Sequence, residues 1–320
     1  MGYKLAGCDV VAANDIDKDM AWHYRRNLDP KYYFLCPIKD LVGSSLPQEL
    51  IGIDILDGSP PCSTFSMAGL REKVWGKKKH FREGQSDQVL SDLFFDFLDL
   101  VAYLKPKVVV AENVKGMLLG AARGYVKLVV SRLKELGYRT QVFLLDAADC
   151  GVPQHRERVF FCSLRGDIEA PPLVLLPKHR HISAEEACRD LSPLTEKEVA
   201  ETAPSPLDRK WWPLTPCGSD YGSVRQRREG KRATFSHKKL DGRRPSFTLT
   251  ANSRVLKHWS ECRTLTFREW KRLGSFPDDY VAKSPTIGKY LIGMSVPPRM
   301  AEFVARAVAS QWLLPNHEIQ

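Results

Sequence analysis

Three short stretches of this 320-residue sequence hold side chains that could do chemistry. The sharpest is Asp57-Gly58-Ser59-Pro60-Pro61-Cys62, at the end of a β-rich run. Two adjacent prolines leave the backbone little freedom, so the Cys62 thiol is aimed in a predetermined direction. A thiol presented this way is a candidate nucleophile. The plainer alternative is a small buried hydrophobic side chain in a tight loop. The second stretch is Ala111-Glu112-Asn113-Val114. A carboxylate at the mouth of an apolar strand is partly desolvated, which suits it to holding a proton for general acid chemistry. Asn113 also suits a helix N-cap for a segment starting near Lys115. The third is Gln154-His155-Arg156-Glu157-Arg158. Alternate residues of an extended segment share a face, so Gln154, Arg156 and Arg158 point the same way. Two guanidiniums on one face call for phosphate or carboxylate. An ordinary surface strand with a salt bridge would account for the same residues.

The elements around these residues belong to an α/β protein. Residues 10–15 and 54–58 are apolar runs ending in acids and turn residues, as buried parallel strands do. Positions 89, 90, 93, 94, 97, 98, 101 and 104 trace one helical face, and Pro106 forbids continuation. Residues 108–113 read as another buried strand. A helix then runs through Val126, Val129, Val130, Leu133 and Leu136 to a Gly137 C-cap. Residues 141–145 and 158–164 complete a strand-rich finish. Strands alternating with helices predict a doubly wound, mostly parallel sheet that binds ligands at its carboxyl ends. Beyond residue 166, eight prolines between 171 and 216 interrupt any long helix, and periodicity fades. The expected organisation is a catalytic and cofactor-binding domain over 1–166 and a smaller, irregular domain over 167–284. A C-terminal segment over 285–320 then packs back on the first.

Composition narrows the function classes. A hydrophobic fraction of 43% with 27% charged residues describes a globular protein with a sizeable core. The longest apolar runs fall far short of the roughly 20 residues a membrane helix needs, and no charged-then-apolar signal segment opens the chain. The eight cysteines include no CxxC pair. That argues against a zinc site or a disulfide scaffold and for reduced thiols in a cytoplasm. The net charge is +10, and two segments account for it: residues 71–82 and 225–244 together carry +12, leaving the rest near −2. Two basic segments on an otherwise balanced chain have the character of a phosphate-binding footprint. A solvated loop is the alternative.

In this order, DGSPPCS, AENVKGM and CGVPQHRERVFF resemble the DNA (cytosine-5)-methyltransferase family of bacterial or phage type. The resemblance continues through residues 244–250, 265–269, 276–280 and 292–298. It covers nearly the whole chain except about 166–240, where the family keeps its variable target-recognition region. It implies the S-adenosylmethionine-dependent methyltransferase fold and methyl transfer to carbon 5 of a flipped-out cytosine in duplex DNA. Cys62 is the implied nucleophile toward carbon 6, and Glu112 the implied donor at ring nitrogen 3. Arg156 is implied to bind the base carbonyl, with Arg158 and Gln154 supporting it; Pro61, Asn113 and Thr250 complete the substrate side. For S-adenosylmethionine the resemblance implies Asp15 at the ribose hydroxyls, Ile16 and Ile38 at adenine, and Leu93 and Ser295 lining the pocket. It places no metal. A cognate restriction endonuclease, a monomeric state and a cytoplasmic, nucleoid-associated location complete the expectation. Arg225, Arg227, Arg228 and Lys231 are expected readers of phosphate or guanine.

The chain departs from the family at its start. Family members open with a strand and a Phe-x-Gly-x-Gly turn that cradles the methionine end of the cofactor, and no such turn occurs here. Residues 1–10 resemble the helix and strand that follow it. A sheet without this central strand is expected to leave two open edges. Three explanations compete: a misassigned or trimmed start, a strand supplied by a second chain or a rearranged gene, or a catalytically inactive DNA-binding relative. Pro37 stands where an adenine-contacting acid is usual, and Met294 where Asn is usual. A relative acting on transfer RNA is a further reading, disfavoured by the insert at 166–240.

Overall fold

The computed structural model describes residues 1–60, 93–120, 122–231 and 236–314, together with the backbone of 78–79 and 88–89. In chain order the elements are α1 (Gly2–Leu5), β1 (Ala12–Asn14), α2 (Lys18–Leu28), β2 (Tyr32–Phe34), β3 (Ile55–Gly58), β4 (Lys78–Lys79) and β5 (Gln88–Val89). Then come α3 (Leu93–Leu104), β6 (Val108–Val114), α4 (Ala122–Glu135), β7 (Tyr138–Asp146) and β8 (Glu157–Arg165). Short helices follow: α5 (Ala184–Cys188), α6 (Glu196–Thr202), α7 (Pro206–Trp211) and α8 (Tyr221–Glu229). The last elements are β9 (Lys238–Lys239), β10 (Leu256–Lys257), α9 (Phe267–Leu273), α10 (Pro285–Met294) and α11 (Pro298–Val308).

Two compact units result. The first joins Ala6–Leu145, Glu157–Leu176 and Val304–Gln320; the second joins Met1–Leu5, Asp146–Arg156 and Pro177–Phe303. The motif at 154–156 thus groups with the second unit, whereas Arg158 belongs to the first.

In the first unit four strands form a sheet in the order β3-β6-β8-β7, with β3 parallel to β6 and β6 antiparallel to β8. The run Val108-Val109-Val110-Ala111 is fully buried because both faces of β6 are covered. Phe94, Phe97, Leu98 and Val101 of α3 and Tyr125, Val129 and Leu133 of α4 supply the surrounding core. The periodic face expected from residue 89 begins at Leu93, because Val89 pairs with Lys78 in a short antiparallel ladder. Lys105 closes α3 in a left-handed turn, φ 50°, ahead of Pro106. Its N–H donates to Val101 O, so the chain stops where proline requires. Near the chain end, Trp312 donates to Pro171 O and Gln311 brackets the backbone of Val174.

Among the described residues, strands β1 and β2 pair only with each other, in parallel. Among the described residues neither β1 nor β3 has a second ladder neighbour, so the expected single sheet is two sheets with open edges. Both nonetheless contribute to one apolar cluster with Leu100 and Leu104 of α3, through Ala12 and Leu56. Their residues are at best half-buried, in contrast to β6.

The second unit is irregular, as the prolines require, and closes its short helices with side-chain caps. Thr195 with Glu198, Ser205 with Asp208, and Thr266 with Glu269 each form a reciprocal capping box. Two of these acids are also buried ion-pair partners: Asp208 of Lys257 at 2.9 Å, and Glu269 of Arg263 at 2.7 Å. Among the described residues no helix is long and apolar enough to cross a membrane.

Candidate active site

Cys62 and Pro61 lie outside the described residues; the chain can be followed along β3 as far as Pro60. Gly58 ends the strand, where a side chain would collide with the Phe97 ring of α3. Asn113 Nδ2 donates to Pro60 O at 3.1 Å, and its Oδ1 accepts the Val114 N–H at 2.9 Å. Asn113 is therefore no helix cap: the turn after it starts at Lys115 without a side-chain cap. Instead it ties the end of β6 to the exit of β3, two residues before the thiol.

Glu112 is 8% exposed, and Arg158 Nε lies 2.8 Å from its Oε1. The sheet register explains the pairing. Glu112 faces Phe160 and Val114 faces Arg158, so the carboxylate and guanidinium are diagonal neighbours on one face of an antiparallel pair. Burial draws the Arg158 guanidinium below its ordinary range, and the Glu112 charge opposes that shift. It stays charged, as guanidiniums in proteins do. Glu112 was expected to act from burial alone; the structure adds a cation in contact with it.

Gln154 and Arg156 are used differently. Gln154 Oε1 accepts the Leu249 N–H at 2.9 Å, and Nε2 donates to Leu273 O at 3.3 Å. Arg156 is 3% exposed and donates to Leu249 O at 2.8 Å and Gly293 O at 3.1 Å. Gly293 must be glycine, because a side chain there would run into the Thr250 carbonyl. One expectation is corrected by this arrangement. Residues 154, 156 and 158 do not line one strand face, because β8 begins at Glu157 and Gln154 bridges to Ser246. The Arg156 guanidinium, expected at the base carbonyl, is engaged by two backbone carbonyls of its own unit.

Sequence reasoning missed Asp146. Its Oδ1 accepts the N–H groups of Arg156 at 2.8 Å and Ala148 at 3.2 Å, and its Oδ2 faces His155 Nδ1 at 2.8 Å. The Ala147 N–H adds a bond to Arg156 O. An acid ending the apolar run Phe143-Leu144-Leu145 is the same signal that singled out Glu112, and it would have found Asp146.

The residues expected around the cofactor are spread over both units. Asp15 follows β1, and its half-buried Oδ1 accepts the Asp17 N–H at 2.8 Å. Burial pushes its carboxyl above the usual range, against the opposing Asp17 N–H. Ile16 is half-buried; Ile38 opens a 3-10 turn and packs on the apolar clusters around α3; Leu93 is the half-buried first residue of α3. In the second unit Ser295 caps α10 and donates to Leu291 O at 2.8 Å, and exposed Thr250 donates to Asn252 O at 3.3 Å. Among the described residues no His, Cys, Asp and Glu cluster could hold a metal ion. Burial pushes Cys150, Cys162 and Cys188 up to about 12, which makes each a poor thiolate at neutral pH.

The chain is similar to known proteins along nearly its whole length. The family model for C-5 cytosine-specific DNA methylase matches residues 1–310. The Type II methyltransferase M.DdeI of Desulfomicrobium norvegicum is 27% identical over 372 aligned positions, covering 98% of this chain and 86% of that protein. M.AplI of Arthrospira platensis is 30% identical, covering 96% and 81%. In fold, the chain resembles a DNA modification methyltransferase encoded within an E. coli prophage, with TM-score 0.73, 19% identity and coverage of 97% and 94%. A Spodoptera frugiperda DNMT2 variant has TM-score 0.65 at 18% identity, covering 96% and 95%. The chain belongs to the C-5 cytosine-specific DNA methylase family, enzymes that take their methyl group from S-adenosylmethionine.

Proposed function

We propose that the protein methylates carbon 5 of a cytosine flipped out of duplex DNA, through a covalent adduct with Cys62. Cytosine carbon 5 is too weakly nucleophilic to take a methyl group unaided. The Cys62 thiolate forms a bond to carbon 6, and the electron pair displaced from the 5,6 double bond makes carbon 5 enamine-like. Glu112 holds a proton or hydrogen bond at ring nitrogen 3, where negative charge develops. Arg158 takes the place at the base carbonyl that the resemblance gave to Arg156. S-adenosylmethionine supplies the methyl group. Loss of the carbon-5 proton and elimination of Cys62 then release the product. A stacked base is out of reach of such a site, hence the flipping.

The observation that carries this reading is the Glu112–Arg158 pair at 2.8 Å, on the strand whose Asn113 holds Pro60. What supports a place for S-adenosylmethionine is Asp15, a half-buried carboxylate just past β1 that suits paired ribose hydroxyls, with Ile16, Ile38 and Leu93 as apolar neighbours of adenine. These residues fit the adenosine half. Pro37 supplies no acid there, and among the described residues no glycine-rich turn serves the methionine half. Residues 1–166 are proposed to form the catalytic and cofactor domain, 167–284 the target-recognition domain, and 285–320 the C-terminal segment. A cytoplasmic, nucleoid-associated monomer partnered by a restriction endonuclease fits this reading.

The second reading is an inactive DNA-binding relative that keeps the scaffold. A duplex with 5-fluorocytosine at candidate sites separates the two. Fluorine cannot leave carbon 5 as a proton does, so in the presence of S-adenosylmethionine an active enzyme stays covalently attached. A denaturation-resistant adduct is expected with the native chain and none with Cys62→Ala, which should retain duplex binding. Adduct formation by Cys62→Ala defeats the mechanism. Binding by the native chain without any adduct favours the inactive reading.

A further inference from the structure

The basic segment 225–244 is not uniformly available to a partner. Glu229 takes Arg225 at 3.0 Å and Lys210 at 3.0 Å, and Lys210 also lies 4.5 Å over the Trp211 ring. Asp241 pairs with Arg243 at 3.3 Å and Arg244 at 3.8 Å, and Lys238 sits 4.7 Å over the Phe247 ring. Arg227, Arg228 and Lys231 are exposed and have no carboxylate partner among the described residues.

These three cations are held on a fixed base. Tyr221 and Val224 of α8 are buried with Trp211, and the Tyr221 hydroxyl donates to Asp208 at 3.0 Å. Asp208 is in turn fixed by Lys257. The helix ends at Gly230, φ 68°, whose N–H donates to Gln226 O. Three like charges within five residues repel one another, and helix-end electrostatics reward cations there only modestly. A polyanion removes the repulsion, and a rigid base lowers the ordering cost of meeting one.

We propose that Arg227, Arg228 and Lys231, at the end of α8, contact backbone phosphates of duplex DNA, and that Arg225, Arg243 and Arg244 do not. The proposal rests on the reading of DNA as substrate and assigns the contact to one surface. Phosphate contacts position a duplex without reading its sequence.

The test is equilibrium binding of the full chain to a fluorescent mixed-sequence duplex across salt concentrations. Each phosphate contact contributes roughly −0.9 to the slope of log K against log salt. Replacing Arg227, Arg228 and Lys231 together by Gln should make the slope shallower by about 3, with an unchanged melting curve. Arg225→Gln and the Arg243→Gln/Arg244→Gln pair should leave the slope as it is. An unchanged slope in the triple variant overturns the assignment, as does a slope change seen with folded RNA but not with duplex DNA. Failure of the native chain to bind duplex at any salt would instead remove the DNA reading itself.

Discussion

Arg156 and Arg158 stand two residues apart in one motif, yet their surroundings differ in kind. Arg156 donates to two backbone carbonyls of the second unit, Leu249 O and Gly293 O. Arg158, in the first unit, meets a carboxylate, Glu112, at the end of a buried strand. A guanidinium bound to carbonyls satisfies fixed, neutral acceptors and holds chain segments together. One paired with a single carboxylate near the strand end keeps donors that can be turned to a ligand. Identical residue types in alternation therefore do not imply identical work.

The largest effect expected of this contrast is at the carboxylate. Glu112→Gln keeps the shape and a donor but removes the charge that faces Arg158. Turnover should fall by roughly 10²–10³, the usual loss when one stabilising group at a developing charge is removed. The KM for DNA should move little. Single-turnover methyl transfer measures this directly, and near-native turnover would take Glu112 out of the reaction.

The two arginines should then separate by what they lose. Arg156→Ala leaves two buried carbonyls unsatisfied, at a cost of about 3 kcal/mol in unfolding free energy. Turnover per folded molecule should suffer less than stability does. For Arg158→Ala the order reverses: turnover drops by roughly 10²-fold, with a stability loss of about 1–2 kcal/mol from the stranded Glu112. Denaturant titration beside single-turnover kinetics gives both numbers for both variants. A stable Arg156→Ala protein that cannot turn over would restore the base carbonyl to Arg156.

Much of this was legible in the sequence, for physical reasons. The run Val108-Val109-Val110-Ala111 could only be a buried strand, and Glu112 follows it at the mouth. Proline and glycine marked the ends of α3 and α4 where the chain does stop. The partners of the polar residues were not legible. Arg156 finds Leu249 and Gly293 at separations of 93 and 137 residues, and no local pattern encodes such contacts. Asn113 was read as a cap because capping is the local use of asparagine, whereas its acceptor, Pro60 O, lies 53 residues earlier. The +12 of the two basic segments was visible, but which cations Glu229 and Asp241 neutralise required the fold.

The smallest effect belongs to Asp146, which sharpens the contrast by asking what fixes the arginine segment. Its carboxylate holds the N–H of Arg156 and the imidazole of His155, and so sets the phase in which the chain enters β8. Asp146→Ala removes these two bonds and the one from the Ala148 N–H, and should cost about 1–2 kcal/mol of stability, with turnover lower by roughly tenfold through misplacement of Arg158. Asp146→Asn keeps an acceptor for the Arg156 N–H and should recover most of the turnover while losing part of the stability. This pairing distinguishes a positioning role from bulk destabilisation. If turnover follows stability alone across the two variants, Asp146 only holds the loop together, and the placement of Arg158 is set by the β6–β8 register.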